Sequence, residues 1–177
     1  LSETGLFWIQ SISPTGQSFN FADAHPEVGP AEEMFWLSRR YGKPLYAWHE
    51  MQRMSSHGVT PWHVIWFDPR CRESGPQDLP RSQCFKGIHV AYLRTSWQDP
   101  LSTFVGFKGG DNRANHSHLD LGTFVLEALG HRWAVDLGRD NYGLPGYFGG
   151  QRWTYYRLKT EGHNTLIIDG KNQKYRA

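Results

Sequence analysis

Two periods of hydrophobic spacing divide this chain. Between residues 30 and 54 the apolar positions recur at three- and four-residue intervals, whereas beyond residue 87 they alternate with polar ones in short runs. The first pattern marks amphipathic helices and the second half-buried strands. Pro30 opens a helical stretch in which Ala31, Glu32 and Glu33 form an acid-rich first turn. Met34, Phe35 and Leu37 supply its apolar side, and Arg39 and Arg40 precede a stop at Gly42. A second helix is predicted from Pro44 to about Met54, with Leu45, Trp48 and Met51 on one face. Residues 1–29 are punctuated by Ser, Pro and Gly and include the exposed-looking Asn20-Phe21-Ala22-Asp23-Ala24, so they read as irregular.

After Pro61 the reading changes. Val64, Ile65, Trp66 and Phe67 suggest a strand, and residues 68–83 form a polar loop with Pro69 and Pro80. Strands are then expected at Ile88–Ser96, Thr103–Lys108, Thr123–Ala128, Arg132–Asp136 and Thr165–Asp169, with Leu129-Gly130-His131 as a hairpin turn pairing the third and fourth antiparallel. Short strands joined by Gly-rich turns without intervening helices point to a mainly β protein, an antiparallel β-sandwich preceded by a short helical segment. The expected domains are therefore a helical tail over 1–60, a linker over 61–84 and the sandwich over 85–177. Two short helices bury too little to stand alone, so the tail is expected to belong to a helical body upstream. The start at Leu1, without Met or a leader, agrees with that expectation.

Composition narrows the classes. The formal net charge is +2, but residues 1–60 hold four Lys/Arg against six Asp/Glu, and residues 61–177 hold fifteen against eleven. No dense basic run of the kind used for nucleic acid is present, so the mildly basic later part suits an anionic ligand held in a shaped site. No apolar run is long enough to span a membrane. An aromatic content of 15% suits sugar-stacking surfaces as well as an ordinary core. Cys71 and Cys84 can be a loop disulfide or two free thiols, and two cysteines do not fix the redox compartment.

The chemistry-bearing residues are His116 and His118, Asp136 eighteen residues on, and His163 within Gly-His-Asn-Thr. Imidazole and carboxylate are ligands for a borderline divalent ion such as zinc. In an extended segment or a turn, His116 and His118 share one side. The predicted hairpin returns Asp136 towards them, and a neighbouring strand would present His163. A rival set is His118, Asp120 and His163, the two-histidine, one-carboxylate iron triad of oxygenases on double-stranded β-helices. A third reading has these histidines as hydrogen-bonded surface groups without a metal.

Three blocks carry a more specific signal: Gly109-Gly110-Asp111-Asn112-Arg113-Ala114-Asn115-His116-Ser117-His118-Leu119-Asp120-Leu121-Gly122-Thr123-Phe124, then Ala134-Val135-Asp136-Leu137-Gly138, then Glu161-Gly162-His163-Asn164-Thr165-Leu166. In this order they resemble the heparinase II/III family of polysaccharide lyases, over roughly residues 85–177. The resemblance implies an α/α toroid followed by antiparallel β-sandwich layers, with residues 1–60 as the toroid's tail. It implies Zn2+ on His118, Asp136 and His163, and a cleft-facing catalytic role for His116. The reaction implied is β-elimination at a uronic acid in an acidic polysaccharide, with further catalytic Tyr and Asn or His groups on the toroid, in a periplasmic or secreted protein. Tyr147 corresponds by position to a cleft tyrosine acting as proton donor or substrate ligand, with Tyr142 and Tyr156 as its rivals. Asn115, Arg113, Tyr142 and Arg152 are the candidate substrate contacts, with Arg139 a further one. The alternative from a different class is a non-catalytic carbohydrate-binding or structural module.

Overall fold

The computed structural model describes residues 1–72 and 74–176, which divide into two compact units. One comprises Leu1–Ile12 and Val28–Pro80; the other comprises Ser13–Glu27 and Arg81 onwards. These boundaries differ from the expected breaks at 60 and 84. The helical unit extends to Pro80, and an early segment, 13–27, packs with the sheet.

The helical unit contains α1 (Thr4–Ser11), α2 (Glu33–Tyr41), α3 (Pro44–His57) and α4 (Pro61–Trp66). The two helices expected between residues 30 and 54 are present, the second running on to His57, and α2 stops at Gly42, whose left-handed backbone closes the cap through Lys43 N–H to the Ser38 carbonyl. Helix α1 lies in the stretch read as irregular. Its Gly5 permits close approach, since a Cβ there would collide with the Tyr46 ring, and Tyr46 Oη donates to the Ser2 carbonyl at 2.7 Å. Of the run 64–67, read as a strand, residues 64–66 belong to α4 and Phe67 caps it. Pro61 starts this helix, Thr60 N–H donates to His63 Nδ1 at 3.0 Å, and Trp62 stacks on Trp66 one turn later with centroids 5.0 Å apart. Local capping and i,i+4 stacking thus override the β preference of Val64 and Ile65.

The second unit is built on a five-stranded antiparallel sheet, β1 (Ser82–Phe85), β2 (Val90–Arg94), β3 (Phe104–Lys108), β4 (Phe124–Ala128) and β5 (His131–Ala134), in the order β1-β2-β3-β4-β5. Three of these strands, β2 to β4, lie within the expected ranges, and β5 overlaps its expected range but starts one residue earlier, at His131; β1 falls at the edge of the stretch read as linker. The β4–β5 turn is a two-residue loop in which Leu129 and Gly130 both have positive φ. That geometry matches the right-handed twist of the paired strands. The Thr165–Asp169 strand does not form. Only an isolated bridge, Ile168 to Lys171, is present, and Leu166 and Ile168 stay exposed for want of a ladder.

One face of the sheet is buried. Val90, Tyr92 and Arg94 lie beside Phe104, Gly106 and Lys108, and these beside Val125 and Glu127. The segment 13–27 covers that face. Phe19 stands edge-on to Tyr92, and a Cβ on Gly106 would collide with the Phe19 ring. Thr15 N–H donates to Glu127 and Arg132 to the Ser18 carbonyl. This cover carries Asn20 to the end of β5, where its side chain donates to the Asp136 carbonyl at 3.0 Å. Leu93, Phe107 and Phe124 line the opposite, exposed face. Cys71 and Cys84 are both free.

Candidate functional site

The site is assembled from loops at one end of the sheet. After β3 the chain runs through turns to His118, and Lys108, at the strand's end, is buried under that loop. Its ammonium donates to Ser117 Oγ at 3.1 Å and pairs with the buried Asp120 carboxylate. The loop is also strapped from the far side, with Leu119 N–H on the Leu158 carbonyl and Thr160 Oγ1 on the Leu119 carbonyl. Arg152 adds donors to the His116 and Ser117 carbonyls. Buried polar groups hold this loop because it has no ladder of its own.

His116 and His118 converge on one carboxylate that the sequence reading did not single out. His116 Nδ1 is 2.8 Å from Asp23 Oδ2, and His118 Nε2 is 3.0 Å from Asp23 Oδ1. Tyr147 Oη and Arg152 Nη2 donate to Oδ1 at 3.0 and 2.9 Å. Burial by itself raises the Asp23 pKa, but hydrogen bonds from His118, His116 and Arg152 outweigh it and hold the carboxyl well below the usual range. Asp23 was legible in one respect: it is the only Asp, Glu, Lys or Arg between Glu3 and Glu27.

The two histidines then diverge. His116 adopts a left-handed backbone with φ of 60°, and its ring is about half exposed at 48%. It lines a groove of about 370 Å³ together with Arg113, Asn115, Arg152, Trp153 and Tyr175. His118 is wholly buried, and its Nδ1 has no hydrogen-bond partner among the described residues. Burial pushes its pKa down against the pull of Asp23. His163 Nε2 and Asp120 Oδ2 are likewise buried without partners. Donor atoms of His118, Asp120 and His163 lie within 4.8 Å of one another. Two imidazoles and a carboxylate so placed fit a divalent cation.

Asp136 stands beside this set. Its Oδ2 is 3.1 Å from His163 Nδ1 and its Oδ1 accepts from Gly138 N–H at 2.8 Å. Gly138 is needed there, because a Cβ would press on the Ala24 carbonyl 2.8 Å away. His163 follows a short turn, Thr160–Gly162, in which any side chain on Gly162 would collide with the Tyr156 carbonyl. Asn164 then ties the ends of β4 and β5 together through the Phe124 and Val135 carbonyls. Turns, rather than the expected strand, deliver His163.

The remaining candidates are distributed unevenly. Tyr147 is buried, its hydroxyl spent on Asp23 and its ring beneath the Arg152 guanidinium at 4.8 Å. Burial and the neighbouring Asp23 push its pKa up to about 12, so the phenol keeps its proton. Tyr142 is exposed and near-parallel to the His116 ring, with centroids 6.5 Å apart, and the Arg139 guanidinium lies over the Tyr142 ring, 4.5 Å from its centre. Arg113 is exposed and paired with Asp111, while Asn115 is exposed on the groove. Tyr156 is exposed and does not line that groove.

The model of the heparinase II/III-like C-terminal family matches residues 87–176, the stretch that holds His116, His118, Asp120, Asp136, Tyr147, Arg152 and His163. No curated protein sequence matches the chain. Among solved structures, a heparinase III superposes with a TM-score of 0.67 at 18% identity, covering 97% of this chain and 26% of that one. A mutant of the heparan sulfate lyase HepC from Pedobacter heparinus gives 0.66 at 18% identity, covering 94% of this chain and 23% of that one. The chain thus spans about a quarter of these relatives, and the likeness at this identity is one of fold. The five-stranded meander has nearest-neighbour order throughout, which is not the double-stranded β-helix on which the iron-triad reading rested. With the family model matching half of its length, the chain belongs to the heparinase II/III-like family.

Proposed function

We propose that this chain forms the sheet-borne part of a polysaccharide lyase that cleaves an acidic, uronate-containing polysaccharide by β-elimination. The observation that carries this reading is the split of the histidine pair: one ring exposed on a groove, the other buried with a bare nitrogen turned towards further metal donors. Asp23 is acceptor-only when ionised, so the nitrogen of His116 that faces it carries hydrogen and Nε2 is left as the basic atom of the neutral ring. In the elimination, a base removes the C5 proton of the uronate. Charge developing on the adjacent carboxylate is neutralised, and an acid protonates the glycosidic oxygen leaving C4. His116 is the proton-transfer group this chain offers. Asn115, Arg113 and Tyr142 are its candidate substrate contacts, while Arg152 holds the loop. Tyr147, kept protonated, is a donor rather than a base, and it must release Asp23 to reach substrate.

Zn2+ is the proposed metal, held by His118 and His163 with an aspartate. A bound zinc ion here supplies positive charge and fixes the loop at the end of β3. The family resemblance assigns the aspartate to Asp136. A second reading assigns it to Asp120, favoured by that residue's partnerless Oδ2 within the donor set. Asp136 would then orient His163 through Nδ1, a role that outer-shell carboxylates serve at many metal sites. The remaining catalytic groups are proposed to lie on an α/α toroid that contacts this part of the protein, and the location is proposed to be periplasmic or secreted. No helix among the described residues is long and apolar enough to cross a membrane.

The test is incubation of the protein expressed from its complete reading frame with heparan sulfate, hyaluronan, chondroitin or alginate. Growth of the ultraviolet absorbance of an unsaturated uronate supports elimination. New reducing ends without that absorbance would mean hydrolysis and overturn the proposal.

A further inference from the structure

Asp23 lies outside the family-matched stretch, and its carboxylate is 5% exposed. Four donors from four places along the chain meet it: His116 on Oδ2, and His118, Tyr147 and Arg152 on Oδ1. Each oxygen of a carboxylate offers about two lone-pair directions, so Oδ1, with three donors, is crowded, while Oδ2 is directed at His116. The position of Asp23 is over-determined. Asn20 is fixed to the Asp136 carbonyl, Ala22 turns through a left-handed backbone with φ of 57°, and Gly138 makes room for the Ala24 carbonyl.

We propose that Asp23 is the positioning residue of the histidine pair, setting the tautomer and direction of His116 and His118 at once. The hydrogen bond to Oδ2 leaves His116 Nε2 bare on the groove side. The bond to Oδ1 leaves His118 Nδ1 bare in the buried donor set. One carboxylate thereby couples the groove to the metal donors, and displacing the segment 20–24 disturbs both. The catalytic consequence rests on the lyase reading; the positioning does not.

Asp23→Asn separates these consequences. Its amide oxygen can still accept on the Oδ1 side, where three donors converge. Its NH2 then faces His116 Nδ1, which must accept, forcing the hydrogen onto Nε2. Asp23→Ala removes both orienting bonds.

The experiment uses 15N-histidine-labelled, zinc-loaded protein from the complete reading frame, with His116 assigned from a His116→Gln spectrum. The nitrogen shifts and couplings of the neutral ring report its tautomer. The expected result is hydrogen on Nδ1 of His116 in the wild type and on Nε2 in Asp23→Asn, with zinc retained. For Asp23→Ala, zinc affinity should fall about 10- to 100-fold. In turnover, Asp23→Asn should lower kcat by about 10²- to 10⁴-fold while KM stays within about threefold. Hydrogen on Nε2 of His116 in the wild type would overturn the proposal even if neither variant folds. So would an unchanged tautomer in Asp23→Asn. If the tautomer switches as expected but even the wild type eliminates no uronate substrate, the lyase reading fails and the positioning role stands.

Discussion

The sheet and the loops at its end are held by different physics. In the sheet, burial alternates residue by residue, with Tyr92, Gly106 and Val125 side by side across three strands and Phe19 packed on Tyr92 and Gly106. In the loops, position comes from buried charge and hydrogen bonds: Lys108 on Asp120, Arg152 on backbone carbonyls, and Asp23 on both histidines. A packed face tolerates conservative change, since its attraction is spread over many weak contacts. A buried polar network does not, because each lost partner strands a group away from water. Sheet and site should therefore fail separately and by different signatures.

The largest expected effect isolates the groove. His116→Ala should reduce elimination by about 10²- to 10⁴-fold, the usual worth of a positioned acid or base. Its half-exposed ring packs little and Asp23 keeps three donors on Oδ1, so the thermal midpoint should fall by less than in a core substitution. Kinetics alongside a melting curve checks both halves. Phe104→Ala is the converse: it removes a fully buried ring stacked on Tyr92 and should cost about 3–5 kcal/mol in denaturant unfolding. The surviving folded fraction should bind zinc with unchanged affinity.

A smaller effect decides between the two aspartates. Asp120→Asn and Asp136→Asn, compared by competition with a chromophoric chelator, should differ in kind. The direct ligand's variant loses zinc outright, whereas the orienting residue's variant loses about 10- to 100-fold in affinity. Equal, negligible losses would exclude both from the site. The smallest effect concerns the hairpin. Gly130→Ala, at φ of 77°, should cost about 1 kcal/mol in unfolding without changing metal content or turnover.

The same contrast explains what could be read from residue order. Alternation located β2 to β5 within a residue or two at most ends, and Leu129-Gly130 announced its hairpin, because sheet geometry is written with a period of two. Val64 to Phe67 misled, since Pro61 and the Trp62–Trp66 stack decide a helix over a β-rich run. The three motif blocks brought His118, Asp120, Asp136 and His163 into one neighbourhood on the page as in space. Asp23 was passed over, because its partners lie more than ninety residues away and nothing local marks a carboxylate that will be buried. Tyr147 shows the opposite difficulty. Its position near the pair was legible, but the engagement of its hydroxyl with Asp23 was not.

The central claim is that two histidines two positions apart serve different ends. The most direct test is zinc stoichiometry by elemental analysis of purified His116→Ala and His118→Ala side by side. The account predicts about one zinc per chain in the first, as in the wild type, and loss of zinc in the second. Loss of zinc from His116→Ala, or its full retention by His118→Ala, would contradict it.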